Sequence, residues 1–382
     1  MRLLIRPAFL ERLQEPFRPH PARRAQPPGP GLARPHHPGR DPMNHLLLRP
    51  VAEADLADLV RMAAASADGI SSLPNDEAKL AARIAASLQS FASTDDASGE
   101  ETYLFVLEDL QAGQVVGCSG IAASAGFFDR FYSYRNEFVV HASAALGVSQ
   151  RMHTLHLCHD LTGATLLTSF YLDPAYERGP AAQLLSRSRL LFIRAHANRF
   201  SERIAAESPG ITDPDGQSPF WDAVGRRFFG MDYPQAEVIV GGRSKAFIAD
   251  LMPPSPIYVA LLPEAAQWAL GQLHPVGEVP FSVLQDEGFD ADTYVDIFDG
   301  GPTVEAPLAS LRSVRLARDV VVRDEPDLGP REWALLACTE RTRFRAVLAE
   351  VGRAVDAATA ARVGARAGDP LVVTPLQTEV AA

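Results

Sequence analysis

The sequence has few lysines, few cysteines and no long uninterrupted apolar run. Only two of its 36 basic residues are lysines, a bias that we attribute to an Arg/Ala-rich proteome and not to function. The three cysteines, Cys118, Cys158 and Cys338, are too widely spaced for a disulfide framework or a zinc motif, which favours a reducing cytoplasm. No apolar run reaches the roughly 18 residues that a membrane-spanning helix needs.

The net charge of −11 is unevenly distributed. Residues 1–42 contain eight arginines against three acidic residues, a balance of +5, so a total of −11 leaves −16 on the rest of the chain. An acidic body disfavours nucleic acid as a partner and suits a cationic small substrate, although surface charge mostly serves solubility. At 382 residues the chain is long enough for two domains, or for one large domain with additions.

The first 42 residues contain ten prolines, and the stretch PARRAQPPGPGLARPHHPGRDP within them is not expected to form a packed core. We expect a disordered Arg/Pro-rich extension here, arising for instance from an early start codon, since Met43 begins a globular-looking segment. The Arg-rich, acid-poor composition leaves a targeting peptide as the alternative.

Residues 166–197 predict a strand, a short turn and a long helix. The strand covers 166–172 and ends at Asp173-Pro174, because proline cannot donate to a ladder. Small residues fill the turn, and apolar side chains recur on one face of the helix that follows. A loop of this kind leaves backbone N–H groups free, and these groups together with the helix dipole favour bound phosphate. Strand–turn–helix units are also common where nothing binds, so the pattern alone does not establish a site.

The remaining pattern predicts an α+β protein with a mixed sheet flanked by helices. The predicted elements are an edge strand His45–Arg49, helices from Asp55 and from Asn75, strands Tyr103–Glu108, Val115–Ala123, Phe138–His141, Leu155–Asp160, Arg203–Glu207 and Thr293–Phe298, and a helix Phe281–Glu287 ended by Gly288. The segments SPFWDAVGRRFFGMDY and FSVLQDEGFDADTYVDIFD share a helix–glycine–aromatic–strand order, which indicates two related halves.

A series of motifs in order along the chain resembles the arginine N-succinyltransferase family, whose members have the GNAT acyl-CoA N-acyltransferase fold. The motifs are SLPNDEAKLAARI, YLFVLED, VVHAS, LDPAY, LLSRSR, AAE, SPFWDAVGRRFFGMD, KAFIADLMP, PIY, GQLHP and EGFDADTYVDIFDGGPTVE. The resemblance implies a GNAT-like acyl-CoA-binding domain over 43–243. It further implies a second GNAT-like half over 244–325 that completes the active site, and a small C-terminal α/β unit over 326–382.

The resemblance also implies a reaction. The succinyl group of succinyl-CoA would pass to the α-amino group of L-arginine, giving N2-succinyl-L-arginine and CoA in the first step of succinyl-dependent arginine catabolism. Succinyl-CoA would be a co-substrate, with no permanently bound cofactor, and the protein would form a homo- or hetero-oligomer with a related subunit. The alternatives are an ornithine-preferring succinyltransferase and a non-catalytic partner subunit.

The same resemblance assigns residues to the acyl-CoA site. Phe170 matches the family's succinyl-CoA-binding position, and its neighbours Tyr171 and Leu172 are equally good contacts. The pantetheine arm would pair with the exposed backbone of this strand, in the gap beside the strand that ends at Glu207. The residues expected at the pyrophosphate are Arg178, Gly179, Ala181 and Ala182.

Two departures from the family pattern bear on this site. The loop usually reads R/Q-x-x-G-x-G/A, whereas here Pro180 removes one N–H donor and Ala182 replaces glycine, so we expect weaker phosphate binding or a reshaped loop. His159-Asp160-Leu161-Thr162-Gly163 stands where an Asn-Asp-His-Thr-Gly segment is usual, so any role of that histidine is lost or has shifted to His159.

His274, in the GQLHP motif, matches the family's proton donor, and imidazole titrates near physiological pH. From the residues alone it is equally a histidine that satisfies carbonyls at a helix end. Arginine binding requires carboxylates for the guanidinium and a cation for the carboxylate. The candidate carboxylates are Asp160, Asp296, Asp299 and Glu305, and the candidate cation is Arg135. Glu207 is the candidate for a water-mediated proton acceptor, and each of these is also an ordinary turn or surface position. No metal is expected, because no second ligand pair at zinc spacing accompanies His156 and Cys158.

Overall fold

One mixed sheet contains the fourteen strands of the described residues. The computed structural model describes residues 45–66, 73–94, 97–213, 215–240, 250–323, 329–366 and 368–376. The strands are β1 (Leu46–Pro50), β2 (Thr102–Asp109), β3 (Gln114–Ala122), β4 (Ser133–Ser143), β5 (Val148–Cys158), β6 (Thr165–Leu172), β7 (Arg203–Glu207), β8 (Ile257–Tyr258), β9 (Asp290–Val295), β10 (Pro302–Pro307), β11 (Arg318–Val320), β12 (Glu332–Cys338), β13 (Arg345–Val351) and β14 (Leu371–Pro375). Their order in the sheet is β11-β14-β12-β13-β1-β2-β3-β6-β7-β10-β9-β4-β5-β8.

Helices cover both faces of this sheet. In the described residues the α-helices include α1 (Leu56–Ala65), α2 (Glu77–Ala92), α3 (Ala181–Ala195), α4 (Pro219–Ala223), α5 (Gly225–Phe229), α6 (Tyr233–Val240), α7 (Glu264–Ala269), α8 (Glu278–Glu287), α9 (Arg312–Arg315) and α10 (Ala357–Arg362). Phe105 and Leu107 of β2 pack in one cluster with α3 and α8, whereas Leu104 and Val106 pack with α1 and α2. Because side chains alternate along a strand, the two groups of helices lie on opposite faces.

The predicted α+β class with a large mixed sheet is confirmed. The helix predicted to end at Gly288 does so, since Gly288 has a φ of +101° in the left-handed region that glycine tolerates. The prediction of β1 as an edge strand is wrong. β1 lies between β2 and β13, with Leu48 opposite Ala346, because the C-terminal strands extend the sheet beyond it.

Pro42–Ala382 forms one compact unit, and the sheet runs through all three predicted segments that follow Met43. The division into two GNAT-like halves and a C-terminal unit stays a prediction. The predicted extension over 1–42 and the first five residues of the KAFIADLMP motif, 245–249, lie outside the described residues. Within the described ranges, no helix combines the length and apolar character needed to cross a membrane.

Candidate active site

The parallel strands β6 and β7 pair briefly and then separate. Their three residue pairs are Thr165 with Ile204, Leu166 with Ala205, and Leu167 with Ala206. On its other side β6 stays paired with β3 as far as Leu172. The part of β6 from Thr168 to Leu172 therefore presents backbone groups to a gap beside the end of β7, where the family resemblance implies the pantetheine arm.

A β-bulge lies where this gap opens. Ser169 and Phe170 of β6 together face the single residue Ser119 of β3. Among the described residues Ser169 is the one non-glycine residue with a positive φ, at +53°, a conformation that costs an L-residue about 1–2 kcal/mol. Gly120 permits the close approach, because a Cβ there would lie 2.8 Å from Oγ1 of Thr168. The bulge was not predicted, and its one signal in the sequence is a glycine inside a strand.

The predicted phosphate loop lies at the start of α3. The helix begins at Ala181 with Pro180 as its N-cap, and no side chain caps it. A helix leaves four N–H groups unpaired at its start. Pro180 removes the first of them, and Ala181, Ala182 and Gln183 supply the other three. The departure from the family pattern thus removes one donor and leaves three N–H groups at the helix start, an arrangement that favours a bound anion.

The segment between β6 and α3 is anchored at its beginning. Asp173 accepts an N–H bond from Ala175 at 2.9 Å, and the hydroxyl of Tyr176 donates to Asp109 at 2.7 Å. Gly179 has a φ of +142°, in the range that favours glycine, and Arg178 beside it is exposed. Arg178 therefore has room to reach a phosphate held by the helix end.

His274 is tied to the segment that follows β7. Its backbone N–H donates to the carbonyl of Pro209 at 2.9 Å, and Leu273 forms an antiparallel bridge with Gly210. Nδ1 of the ring accepts the N–H of Val276 at 3.3 Å, so the neutral imidazole carries its proton on Nε2. Burial lowers the pKa of His274 below its ordinary value, which favours the neutral ring.

Three of the candidate arginine-binding residues belong to one polar network at the paired end of β6 and β7. Arg135 donates to Asp160 at 2.6 Å, and the hydroxyl of Tyr294 donates to the same carboxylate at 3.3 Å. Arg203 donates to Glu305 at 2.8 Å and to the Tyr294 hydroxyl at 3.2 Å. Both candidate carboxylates already hold a guanidinium of the protein, so the geometry favours an orienting role. Arg203 and Tyr294 were not predicted.

Two further candidates, Glu207 and Asp299, lie nearer the open end of the gap. Glu207 is the last residue of β7, half-buried, and strand alternation places it on the same face as Arg203. Asp299 is 8% exposed and accepts N–H bonds from Gly210 at 2.8 Å and Gly301 at 2.7 Å. Its carboxylate holds the loop beside His274 together, which favours a structural role over guanidinium binding.

The cysteines offer no thiolate at neutral pH. Burial raises the pKa of Cys118 to about 12, and burial also raises the pKa of Cys158. His156 makes a 3.0 Å contact with Thr154 and lies 3.4 Å from Glu137. In the part of the chain that the structure describes, no group of three or more His, Cys, Asp or Glu residues is arranged to hold a metal ion.

A mixed sheet with a parallel strand pair that separates at a bulge, followed by an uncapped helix start, defines an acyl-CoA N-acyltransferase fold. The family described as "AstA: Arginine N-succinyltransferase beta subunit" matches residues 46–313. The chain belongs to the arginine N-succinyltransferase family and is an acyltransferase, as the motifs predicted.

Individual relatives agree with this assignment. "Arginine N-succinyltransferase subunit alpha" of Pseudomonas aeruginosa is 46% identical over 337 residues, covering 86% of this chain and 99% of the relative. "Arginine N-succinyltransferase" of Salmonella schwarzengrund is 42% identical over 303 residues, covering 79% and 88%. The solved structure of "arginine/ornithine succinyltransferase subunit AI from Pseudomonas aeruginosa" is 42% identical with a TM-score of 0.78, covering 87% of this chain and 99% of that one.

Proposed function

We propose that the protein transfers the succinyl group of succinyl-CoA to the α-amino group of L-arginine, giving N2-succinyl-L-arginine and CoA. The observation that carries the proposal is the gap between β6 and β7, which ends at the uncapped start of α3 in a chain of this family. The reaction would open arginine catabolism in a reducing cytoplasm, with which the three free cysteines are consistent.

The co-substrate would bind along the bulged strand. The pantetheine amides pair with the free backbone of Phe170–Leu172, as an added strand does. The pyrophosphate rests on the amides of Ala181 and Ala182, where the helix dipole favours negative charge, and Arg178 closes over it. This places the thioester beside the bulge, where backbone N–H groups polarise its carbonyl.

The chemistry then requires two proton transfers. The neutral α-amine attacks the thioester carbon, and its proton passes through water to Glu207 on the open end of β7. The C–S bond breaks, and the leaving thiolate takes a proton from the imidazolium form of His274, which receives a proton through water from Glu207 and returns to the neutral ring. Direct attack of this kind needs no protein nucleophile, which agrees with the raised thiol pKa values of Cys118 and Cys158.

The acceptor amine is the part of the proposal that most needs a direct test. The solved relative is described as an arginine/ornithine succinyltransferase, so L-ornithine is the second candidate acceptor. Thiol release from succinyl-CoA should be measured with each amine. We expect faster release with L-arginine. Faster release with L-ornithine would make L-ornithine the preferred acceptor. No release with either amine would indicate a non-catalytic subunit.

We also propose that two copies of the chain associate through the β4–β5 hairpin. β4 pairs with β9 only at Tyr134 and Arg135, so among the described residues the far part of the hairpin is paired only within itself. It exposes four large apolar side chains, namely Phe138, Val140, Leu146 and Val148. A cluster of this kind on a projecting hairpin is typical of an association surface, and two relatives are described as subunits.

A further inference from the structure

We propose that Arg189 binds the terminal carboxylate of the succinyl group at the closed end of the gap between β6 and β7. The inference rests on the proposed function and deepens it. It assigns the residue that distinguishes succinyl-CoA from acyl-CoA thioesters without a charge.

Arg189 is a buried cation whose partners in the described part of the chain are all neutral. The side chain lies on α3 and is 2% exposed. Nε donates to the carbonyl of Ser186 at 3.1 Å, Nη2 to the hydroxyl of the same residue at 2.9 Å, and Nη1 to the carbonyl of Thr168 at 3.5 Å. The ring of Phe170 lies 5.7 Å from the guanidinium carbon. Because a guanidinium has five N–H donors, two have no acceptor among the described residues.

Two other buried arginines each have a carboxylate as counter-ion. Arg187 lies 2.9 Å from Glu287, and Arg199 lies 3.4 Å from Glu101. No carboxylate of the described residues lies within ion-pair distance of Arg189, and a buried charge without a counter-ion is unfavourable. Burial lowers the pKa of Arg189 to about 9, which still leaves the guanidinium charged at neutral pH. Arg189 therefore has no counter-ion among the described residues, and a bound carboxylate would supply one.

The position of Arg189 fits the end of the acyl chain. Thr168, which it contacts, is the first residue of β6 beyond the last pair with β7, and the bulge at Ser169 follows directly. Pantetheine that runs from the start of α3 back along β6 brings the thioester to the bulge with the acyl chain continuing toward Thr168. The succinyl carboxylate lies about 4 Å beyond the thioester carbonyl, roughly the rise of one strand residue.

A carboxylate at this point would accept the two remaining N–H donors side by side, the bidentate geometry that guanidinium groups favour. Arg83 is the competing cation. It approaches the bulge from α2, with Nη1 3.5 Å from the hydroxyl of Ser169, but it is only half-buried. A test must therefore distinguish carboxylate binding by Arg189 from carboxylate binding by Arg83.

The experiment compares succinyl-CoA with butyryl-CoA, which has the same chain length and no carboxylate, as donors to saturating acceptor amine. A site built to bind a polar group rejects an analogue without it strongly, so wild-type kcat/KM should favour succinyl-CoA by about 100-fold or more. Arg189→Met should reduce that ratio to below about tenfold, and Arg189→Lys should retain part of it because the charge remains. Free CoA has no acyl group, so its Kd should differ less than twofold between Arg189→Met and the wild-type protein.

Arg194→Met on the same helix is the matched control and should keep the wild-type ratio, as should Arg83→Met. An equal loss of kcat/KM for both donors in Arg189→Met would make Arg189 a structural residue and overturn the proposal. So would loss of donor preference in Arg83→Met alone.

Calorimetry on the wild-type protein needs no variant and no turnover. Succinyl-CoA should bind at least about tenfold more tightly than butyryl-CoA in the absence of amine. Equal affinities would overturn the assignment of Arg189 even if every variant failed to fold. A protein that releases no CoA with either amine but binds succinyl-CoA preferentially would contradict the proposed function and support the carboxylate subsite.

Discussion

Arg187 of α3 and Glu287 of α8 form a fully buried ion pair, with 2.9 Å between Nε and Oε1. The same carboxylate accepts the N–H of Ser313 at 2.7 Å and its hydroxyl at 2.8 Å. The other two nitrogens of Arg187 donate to the carbonyls of Pro375 and Leu376. One pair of charges thus joins the helix of the candidate phosphate site to α8, α9 and the end of β14.

Removal of one partner should therefore destabilise the fold. Glu287→Ala leaves a buried guanidinium without its counter-ion, which typically reduces the free energy of unfolding by about 3–5 kcal/mol. Urea unfolding followed by circular dichroism measures the change. Asp286→Ala, one residue earlier and exposed, should lie within about 0.5 kcal/mol of wild type. Equal stability of the two variants would show that the ion pair contributes nothing to the free energy of unfolding.

His274 should be required for turnover. Replacing it with alanine removes the proton donor and should lower kcat by about 10²- to 10⁴-fold, as loss of a general acid does. His274→Gln restores an N–H near the position of Nε2 without a titrating group, so it should recover only the part of the rate that a hydrogen bond supplies. CoA release at saturating substrates is the measurement. Unchanged turnover in His274→Ala would remove His274 from the mechanism.

The pKa of His274 can be measured directly. Burial disfavours the charged ring, so its folded-state pKa lies below the ordinary value of about 6.5 and the ring loses its proton at a lower pH. NMR of the free protein should show an imidazole that titrates below pH 6.5, and this resonance should be missing in His274→Gln. A resonance that titrates above pH 6.5 and disappears in the variant would contradict the assigned environment.

The sequence predicted local features better than long-range ones. Residues 166–197 were predicted as strand, turn and helix because Asp173-Pro174 and the helical spacing are local signals. The burial of Arg187 and Arg189 was not predicted, since α3 is covered on nearly all sides and not on one face alone. The internal position of β1 depends on β13, which lies near the other end of the chain, and no local pattern encodes that pairing. Asp160 and Glu305 looked like ligands because their partners Arg135 and Arg203 meet them only in the folded sheet.

Restoring the missing donor of the phosphate loop should strengthen CoA binding. Pro180→Ala returns an N–H to the N-cap of α3, and one hydrogen bond contributes about 0.5–1.5 kcal/mol, so the Kd of CoA should fall about two- to tenfold. Calorimetry with free CoA measures it. Pro174→Ala, an exposed proline in the preceding turn, controls for the added chain flexibility and should leave the Kd unchanged. Weaker binding in Pro180→Ala would mean that the rigid turn matters more than the donor.

The β4–β5 hairpin should control the oligomeric state. Light scattering on the wild-type protein should give about twice the chain mass of 41.3 kDa. Leu146→Asp places a charge at the tip of the hairpin, where the native leucine is 77% exposed, and should yield the mass of one chain because an unpaired charge is unfavourable in an apolar interface. Leu110→Asp makes the same change at a site that is 53% exposed and outside the hairpin, and it should leave the dimer intact. A wild-type protein with the mass of one chain, or a Leu146→Asp variant that keeps the dimer mass, would contradict association through the hairpin.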